Sequence, residues 1–166
     1  WDVYNNMHMG NTGEVVAKEC SIDRQQADEF AAQSHIKAAK AWDEGWFDWE
    51  TFPISIPQRR GDPIVLSRDE GVRSDSTAEG LSKLRTVFDK DGIVTAGNAS
   101  TLNDGASAVL VTSEAFAMEQ GWEIIATIED YCTAGVEPER VMSAPIPAVK
   151  DLLARNNLDV LDVDVY

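Results

Sequence analysis

Thr95-Ala-Gly-Asn-Ala-Ser-Thr-Leu-Asn-Asp-Gly-Ala106 leads, one residue on, into the apolar run Ala108-Val-Leu-Val111. Gly97 and Gly105 permit a tight turn and close backbone approach. Asn98, Ser100, Asn103 and Asp104 can bond their own backbone or a ligand. The run that follows, 106–112, reads as a buried strand. A loop of small polar residues feeding a buried strand is a place where a ligand can lie against backbone. It is also a common connector, and the residues alone leave both readings open.

The rest of the chain bounds the answer. Hydrophobic residues make up 43% of the 166, enough for a folded core and too many for a disordered acidic tail. Fourteen Lys and Arg against 29 Asp and Glu give a net charge of −15. That balance disfavours nucleic acid and anionic membrane as partners. An anionic ligand would need a local basic patch, for which Arg59, Arg60, Arg73, Lys83 and Arg85 are candidates. Two cysteines, Cys20 and Cys132, are too few for a disulfide framework or a zinc cluster. Each reads as a small buried hydrophobe, with no metal and no nucleophile assigned.

Residues 13–20 read as a short helix. Ser21 is the expected N-cap of a longer helix, with Asp23 in its first turn. Ala27, Phe30, Ala31, Ser34, Ala38 and Ala41 recur at helical spacing as its inner face, and Gly45 closes it. The cluster Trp42, Trp46, Phe47 and Trp49, set among acidic residues, suits packing or subunit contact. Residues 52–57 and 64–66 read as a hairpin around the turn at 58–62. Ser76-x-x-Glu79 has the spacing of a capping box, opening a helix with Leu81, Leu84 and Phe88 on one face. Ser113 caps a helix ending at Gly121, and Val149, Leu152 and Leu153 mark another, closed by Asn156-Asn157. With strands at 106–112, 124–128 and 160–166, the second part reads as βαβαβ in a parallel sheet. Residues 1–94 look irregular and helix-rich, so the organisational boundary falls near 94.

Several segments together resemble the thiolases, the acetyl-CoA acetyltransferases and 3-ketoacyl-CoA thiolases. They are Thr95-Ala-Gly-Asn-Ala-Ser100, Asn103-Asp-Gly-Ala106, His8-Met9-Gly10, Phe30-Ala-Ala-Gln-Ser-His35 and Pro57-Gln-Arg-Arg-Gly-Asp62. Lys83-Leu-Arg85, Phe88-Asp-Lys90 and Pro145-Ile-Pro147 complete a colinear set over essentially the whole chain. The resemblance implies an α/β, thiolase-like fold fragment. It divides into a loop domain at 1–94, the last strand and helix of the N-terminal half at 95–121, and the start of the C-terminal half at 122–166. The family's nucleophilic cysteine and its Asn-Glu-Ala-Phe, Gly-His-Pro and Cys-x-Gly-Gly-Gly motifs do not occur in these residues. The expectation is therefore an internal segment, inactive by itself.

The resemblance further implies coenzyme A or acetyl-CoA as substrate, with no tightly bound cofactor. It also implies acyl-CoA chemistry in a cytoplasmic homo-oligomer, a tetramer or dimer, without nucleic acid or membrane partners. His8 and Met9 match a pair beside pantetheine in the acetyltransferase branch. Arg73 would meet the charge of the nucleotide, and Leu81, Leu84 and Phe88 would flank adenine or pantetheine. Ala96, Ser100 and Leu102 match the loop against which pantetheine lies, Ser100 being the hydrogen-bonding side chain. Met142 matches a residue of the short-acyl pocket, although the spacing from it to Pro145 is one residue shorter than the family pattern. A noncatalytic coenzyme-binding or assembly module, and a segment of a longer-chain ketoacyl-CoA thiolase, are the alternatives.

Overall fold

The computed structural model describes residues 1–166, which form two units, Trp1–Thr101 and Leu102–Tyr166. In the first, α1 (Asn11–Glu19) carries Glu14 in its first turn and Lys18 in its last, matching the helix dipole at both ends. It ends in a Schellman motif. Ser21 takes the left-handed conformation (φ 54°), and the Ile22 N–H donates to the Ala17 carbonyl at 2.8 Å. Ser21 is thus the terminator of α1 and not the cap of the next helix.

That cap is Asp23. Its carboxylate accepts from the Gln26 N–H at 2.8 Å, while the Gln26 side chain accepts from the Asp23 N–H at 2.9 Å. The long helix it opens, α2 (Arg24–Asp43), buries Asp28, Ala32, Ala39 and Ala41. The inner stripe is therefore turned from the one expected, and Phe30 is 80% exposed. The reason is Asp28, a carboxylate that spacing rules place outside but that here has half-buried polar partners. Gly45 (φ 72°) ends the helix as expected, with the Trp46 N–H on the Ala41 carbonyl. Trp42 packs on Phe47 at 5.0 Å between ring centroids and lies under the Arg68 guanidinium, whereas Trp46 and Trp49 stay exposed.

Strands β1 (Ile54–Ile56) and β2 (Ile64–Leu66) pair antiparallel, Ile54 opposite Leu66. Gly61 at φ 86° serves the turn between them. Next, α3 (Ala78–Ser82) is capped by Thr77, whose hydroxyl accepts from the Gly80 N–H at 3.1 Å. Ser76 is not the cap; its hydroxyl is buried without a partner. With α3 ending at Ser82, Leu84 and Phe88 are not on its face but on the chain beyond it. The chain returns through a bridge between Thr86 and Thr95.

In the second unit α4 (Glu114–Gln120) has the expected cap Ser113 and the expected left-handed Gly121. A 3₁₀ turn over Pro138–Ser143 leads into α5 (Pro145–Arg155), followed by Asn156 and the left-handed Asn157. Arg155 and Asn156 tie α5 to Asp130 at 3.0 and 2.8 Å. The three strands expected here are corrected. Residues 106–112 and 124–128 join no ladder, and Val160–Asp162 is a 3₁₀ turn. Val109, Leu110 and Val111 are 86%, 74% and 69% exposed. A β-strand is stable only when neighbours take its N–H and C=O groups, and the hairpin β1–β2 is the chain's only sheet. No helix is long and apolar enough to cross a membrane.

Candidate functional site

The turn after Ile93 is built from within. Thr95 is fully buried, its N–H donates to the Asn98 side-chain oxygen at 2.7 Å, and its hydroxyl accepts from the Gly97 N–H at 3.2 Å. The Asn98 amide nitrogen in turn donates to the Ile93 carbonyl at 2.9 Å. Glu14 of α1 accepts from the Ile93 and Val94 N–H groups at 2.8 and 2.9 Å. These bonds consume the turn's polar capacity on one side and leave Ala96 and Ser100 exposed on the outside.

Gly97 is where this turn meets the α3 region. A Cβ there would lie 2.6 Å from Leu81 Cδ2 and from Leu84 Cδ1, so only glycine allows the contact as it stands. Leu81 is buried and Leu84 is 39% exposed. Phe88 stacks on His8 with centroids 4.7 Å apart and planes at 24°, and its ring fills the space above Gly10. His8 Nδ1 accepts from the Gly10 N–H at 3.0 Å, and the Met9 carbonyl accepts from the Thr12 hydroxyl at 2.6 Å. Two small clusters result, His8 with Phe88 and Gly97 with Leu81 and Leu84.

Arg73 is exposed, and its backbone N–H donates to His35 Nδ1 at 3.3 Å. Of the other cations, Lys83 faces Glu79 at 3.1 Å in an exposed pair that costs little to break. Leu102 and Met142 belong to the second unit, and both are exposed. A depression of about 450 Å³ between α2 and α3 is lined by Arg24, Asp28, Glu29 and Glu79. Its acidic balance makes it unsuited to an anionic ligand.

Sequence reasoning missed what holds these pieces. Asp28, only 1% exposed, accepts from Arg24 Nε at 2.7 Å on one oxygen and from the Asn98 amide at 3.0 Å on the other. Arg24 also donates to the Leu81 and Leu84 carbonyls at 2.7 and 2.8 Å. In sequence, Arg24 and Asp28 read as one more i,i+4 surface pair. The available signal was the helical spacing of 28, 32 and 39, which puts Asp28 in line with Ala32 and Ala39.

Cys20 is exposed at the end of α1, and the Cys132 thiol donates to the Ala148 carbonyl at 3.0 Å. No group of three His, Cys, Asp or Glu could hold a metal ion. The arrangement presents apolar and aromatic side chains beside an exposed small-residue turn.

The model of the thiolase N-terminal domain family matches residues 1–115. The chain belongs to the thiolase family. The acetyl-CoA acetyltransferase of Cupriavidus necator is 50% identical over 165 residues, covering 99% of this chain and 42% of the relative. The human mitochondrial 3-ketoacyl-CoA thiolase superposes with a TM-score of 0.93 at 35% identity, over 99% of this chain and 41% of that one. The dimeric peroxisomal thiolase of Saccharomyces cerevisiae gives 0.88 at 40% identity, over 96% and 40%. These likenesses fix the α/β thiolase fold for this segment. The thiolase chain spans about two-fifths of the length of the relatives it matches.

Proposed function

We propose that this chain is the coenzyme-positioning part of an acetyl-CoA C-acetyltransferase, which converts two acetyl-CoA into acetoacetyl-CoA and CoA or runs the reverse thiolysis. One observation carries the reading: the Gly97 turn packs on Leu81 and Leu84 while leaving Ala96 and Ser100 open beside them. His8, Met9, Phe88 and Arg73 are the further coenzyme contacts, Arg73 pairing with phosphate through its planar guanidinium. Leu102 and Met142 are assigned to pantetheine and the short-acyl pocket. The 50% identity to a protein named acetyl-CoA acetyltransferase favours the acetyl substrate over longer chains.

In such an enzyme a cysteine thiolate takes the acyl group, and oxyanion donors hold charge on the thioester oxygen. This chain's share is to hold the coenzyme in register, worth several kcal/mol of a barrier when the nucleophile is present. The setting assigned is fatty acid metabolism in the cytoplasm. The test is calorimetric titration of the chain with coenzyme A, alongside thermal melting. Binding that raises the melting temperature with ligand concentration, and that weakens in Arg73→Ala and in high salt, is expected. Absence of heat and of any shift at millimolar coenzyme would overturn the reading. Acetoacetyl-CoA cleavage by the chain alone is not expected.

A homo-oligomeric parent is the companion reading, and the hairpin supports it. Ile54, Ile56, Ile64 and Val65 are 41–61% exposed on a three-residue ladder, next to exposed Trp46, Trp49 and Phe52. Light scattering of wild type against Ile64→Lys with Val65→Lys reads it out; a mass unaffected by the change and equal to one chain would refute it.

A further inference from the structure

The contacts proposed for the coenzyme sit on segments that are distant in sequence, and one side chain joins them. Arg24 and Leu81 are 57 residues apart, and Asp28 and Asn98 are 70 apart. Resting on the coenzyme-binding reading, we infer that Asp28 is a positioning residue. Through Arg24 it sets the end of α3, through Asn98 it sets the 95–100 turn, and so it fixes Leu81, Leu84 and Ser100 relative to one another.

The stoichiometry of donors and acceptors explains why a carboxylate is required. Each Asp28 oxygen is used by one charged or amide donor, Arg24 Nε and Asn98 Nδ2. An asparagine at 28 offers one oxygen and one NH₂, so one of those donors would then face another donor. The group is 1% exposed, so water cannot readily replace the missing acceptor. Asn98 is committed on its other atom to Thr95, so a shift of its amide carries the turn with it. Arg24 is likewise committed to two carbonyls on the α3 side. The carboxylate is 1% exposed and is not among the proposed coenzyme contacts; its effect on binding is transmitted.

The experiment combines amide hydrogen exchange with coenzyme A titration on wild type, Asp28→Asn, Arg24→Lys and the swap Asp28→Asn with Asn98→Asp. Asp28→Asn is expected to speed exchange at both 81–84 and 95–99 by about tenfold or more, the scale of a lost charged hydrogen bond. Coenzyme affinity should fall by a similar factor. The swap restores an amide-to-carboxylate bond in the opposite sense but turns a carboxylate oxygen onto the Ile93 carbonyl, so it should recover protection at 81–84 and less of it at 95–99. Unchanged exchange at 95–99 in Asp28→Asn overturns the inference, and so does faster exchange with undiminished affinity. Should Asp28→Asn fail to fold, Arg24→Lys provides the same comparison, since a lysine cannot serve Asp28 and two carbonyls together. If wild type binds no coenzyme, the function proposed above fails, whereas the exchange data still decide whether Asp28 couples the two segments.

Discussion

The two units of this chain resolve the same problem differently. In the first, short segments far apart in sequence are closed by buried or half-buried polar ties: Arg24 and Asp28 with Leu81 and Asn98, and Glu14 with Ile93 and Val94. In the second, the ties lie at exposed side chains. Asp130 meets Asn156 and Arg155 across 26 and 25 positions, and the apolar runs around Val109 and Ile125 stay exposed. An irregular sequence can hold a defined shape if a few charged side chains are fully used. An apolar, strand-like sequence joins no ladder until its backbone finds a partner.

The sharpest way to break that contrast is Asp28→Ala. It strands Arg24 and the Asn98 amide, and removing one member of a buried pair costs about 3–5 kcal/mol. Arg24 keeps a quarter of its side chain in water, so the lower end of that range is expected. Urea unfolding followed by circular dichroism should show loss of the first unit's transition while the second unit's α4 and α5 keep their helical signal. A uniform small shift in both would mean that the polar tie does not govern the first unit.

Gly10→Ala tests the same unit through packing. The added methyl would enter the Phe88 ring, which must leave its stack on His8 or push the α1 entry aside. Overpacking of this kind costs about 1–3 kcal/mol. The His8 ring protons should lose the upfield shift that the stacked phenyl gives them, and a shift retained at wild-type stability would contradict the contact.

In the second unit the counterpart is a cap. Ser113 accepts from the Phe116 N–H at 3.3 Å, and Ser113→Ala should cost about 1 kcal/mol. The loss should be confined to α4 amides in hydrogen exchange, because nothing distant hangs on that side chain. An effect reaching 81–99 would erase the distinction between the units.

How much of this was legible follows the same line. Helix ends were readable where the signal is a single residue with one job: Gly45, Ser113, Gly121 and Asn156-Asn157 all fall at the ends of helices. Caps were misplaced by one or two residues where two candidates compete, as with Ser21 against Asp23 and Ser76 against Thr77. The difference lies in φ/ψ, not residue type. Strands 106–112, 124–128 and 160–166 were over-read, because apolar alternation reports a tendency to be covered and says nothing of whether a neighbour is there. Of the two packing clusters, His8, Phe88, Leu81 and Leu84 were legible only as single residues. Asp28 was not, since its burial depends on partners 4 and 70 residues away, and no local pattern records the second.

Acid titration gives the smallest expected effect. Asp130 in the second unit has its carboxyl held below the ordinary value of 3.8, first by the Asn156 side-chain amide, then by the Tyr131 N–H and the nearby Arg155. A depressed folded-state value means that stability from this group is complete above the unfolded value. It fades as pH falls through 3.8 and is gone below the folded value. Asn156→Ala removes the largest cause and should raise the Asp130 titration midpoint measured by carboxyl NMR. The acid loss of α5 helicity should shrink by the same sign, with stability at neutral pH lowered slightly. A midpoint that does not rise in Asn156→Ala would mean that the Asn156 amide is not what holds the Asp130 carboxyl low.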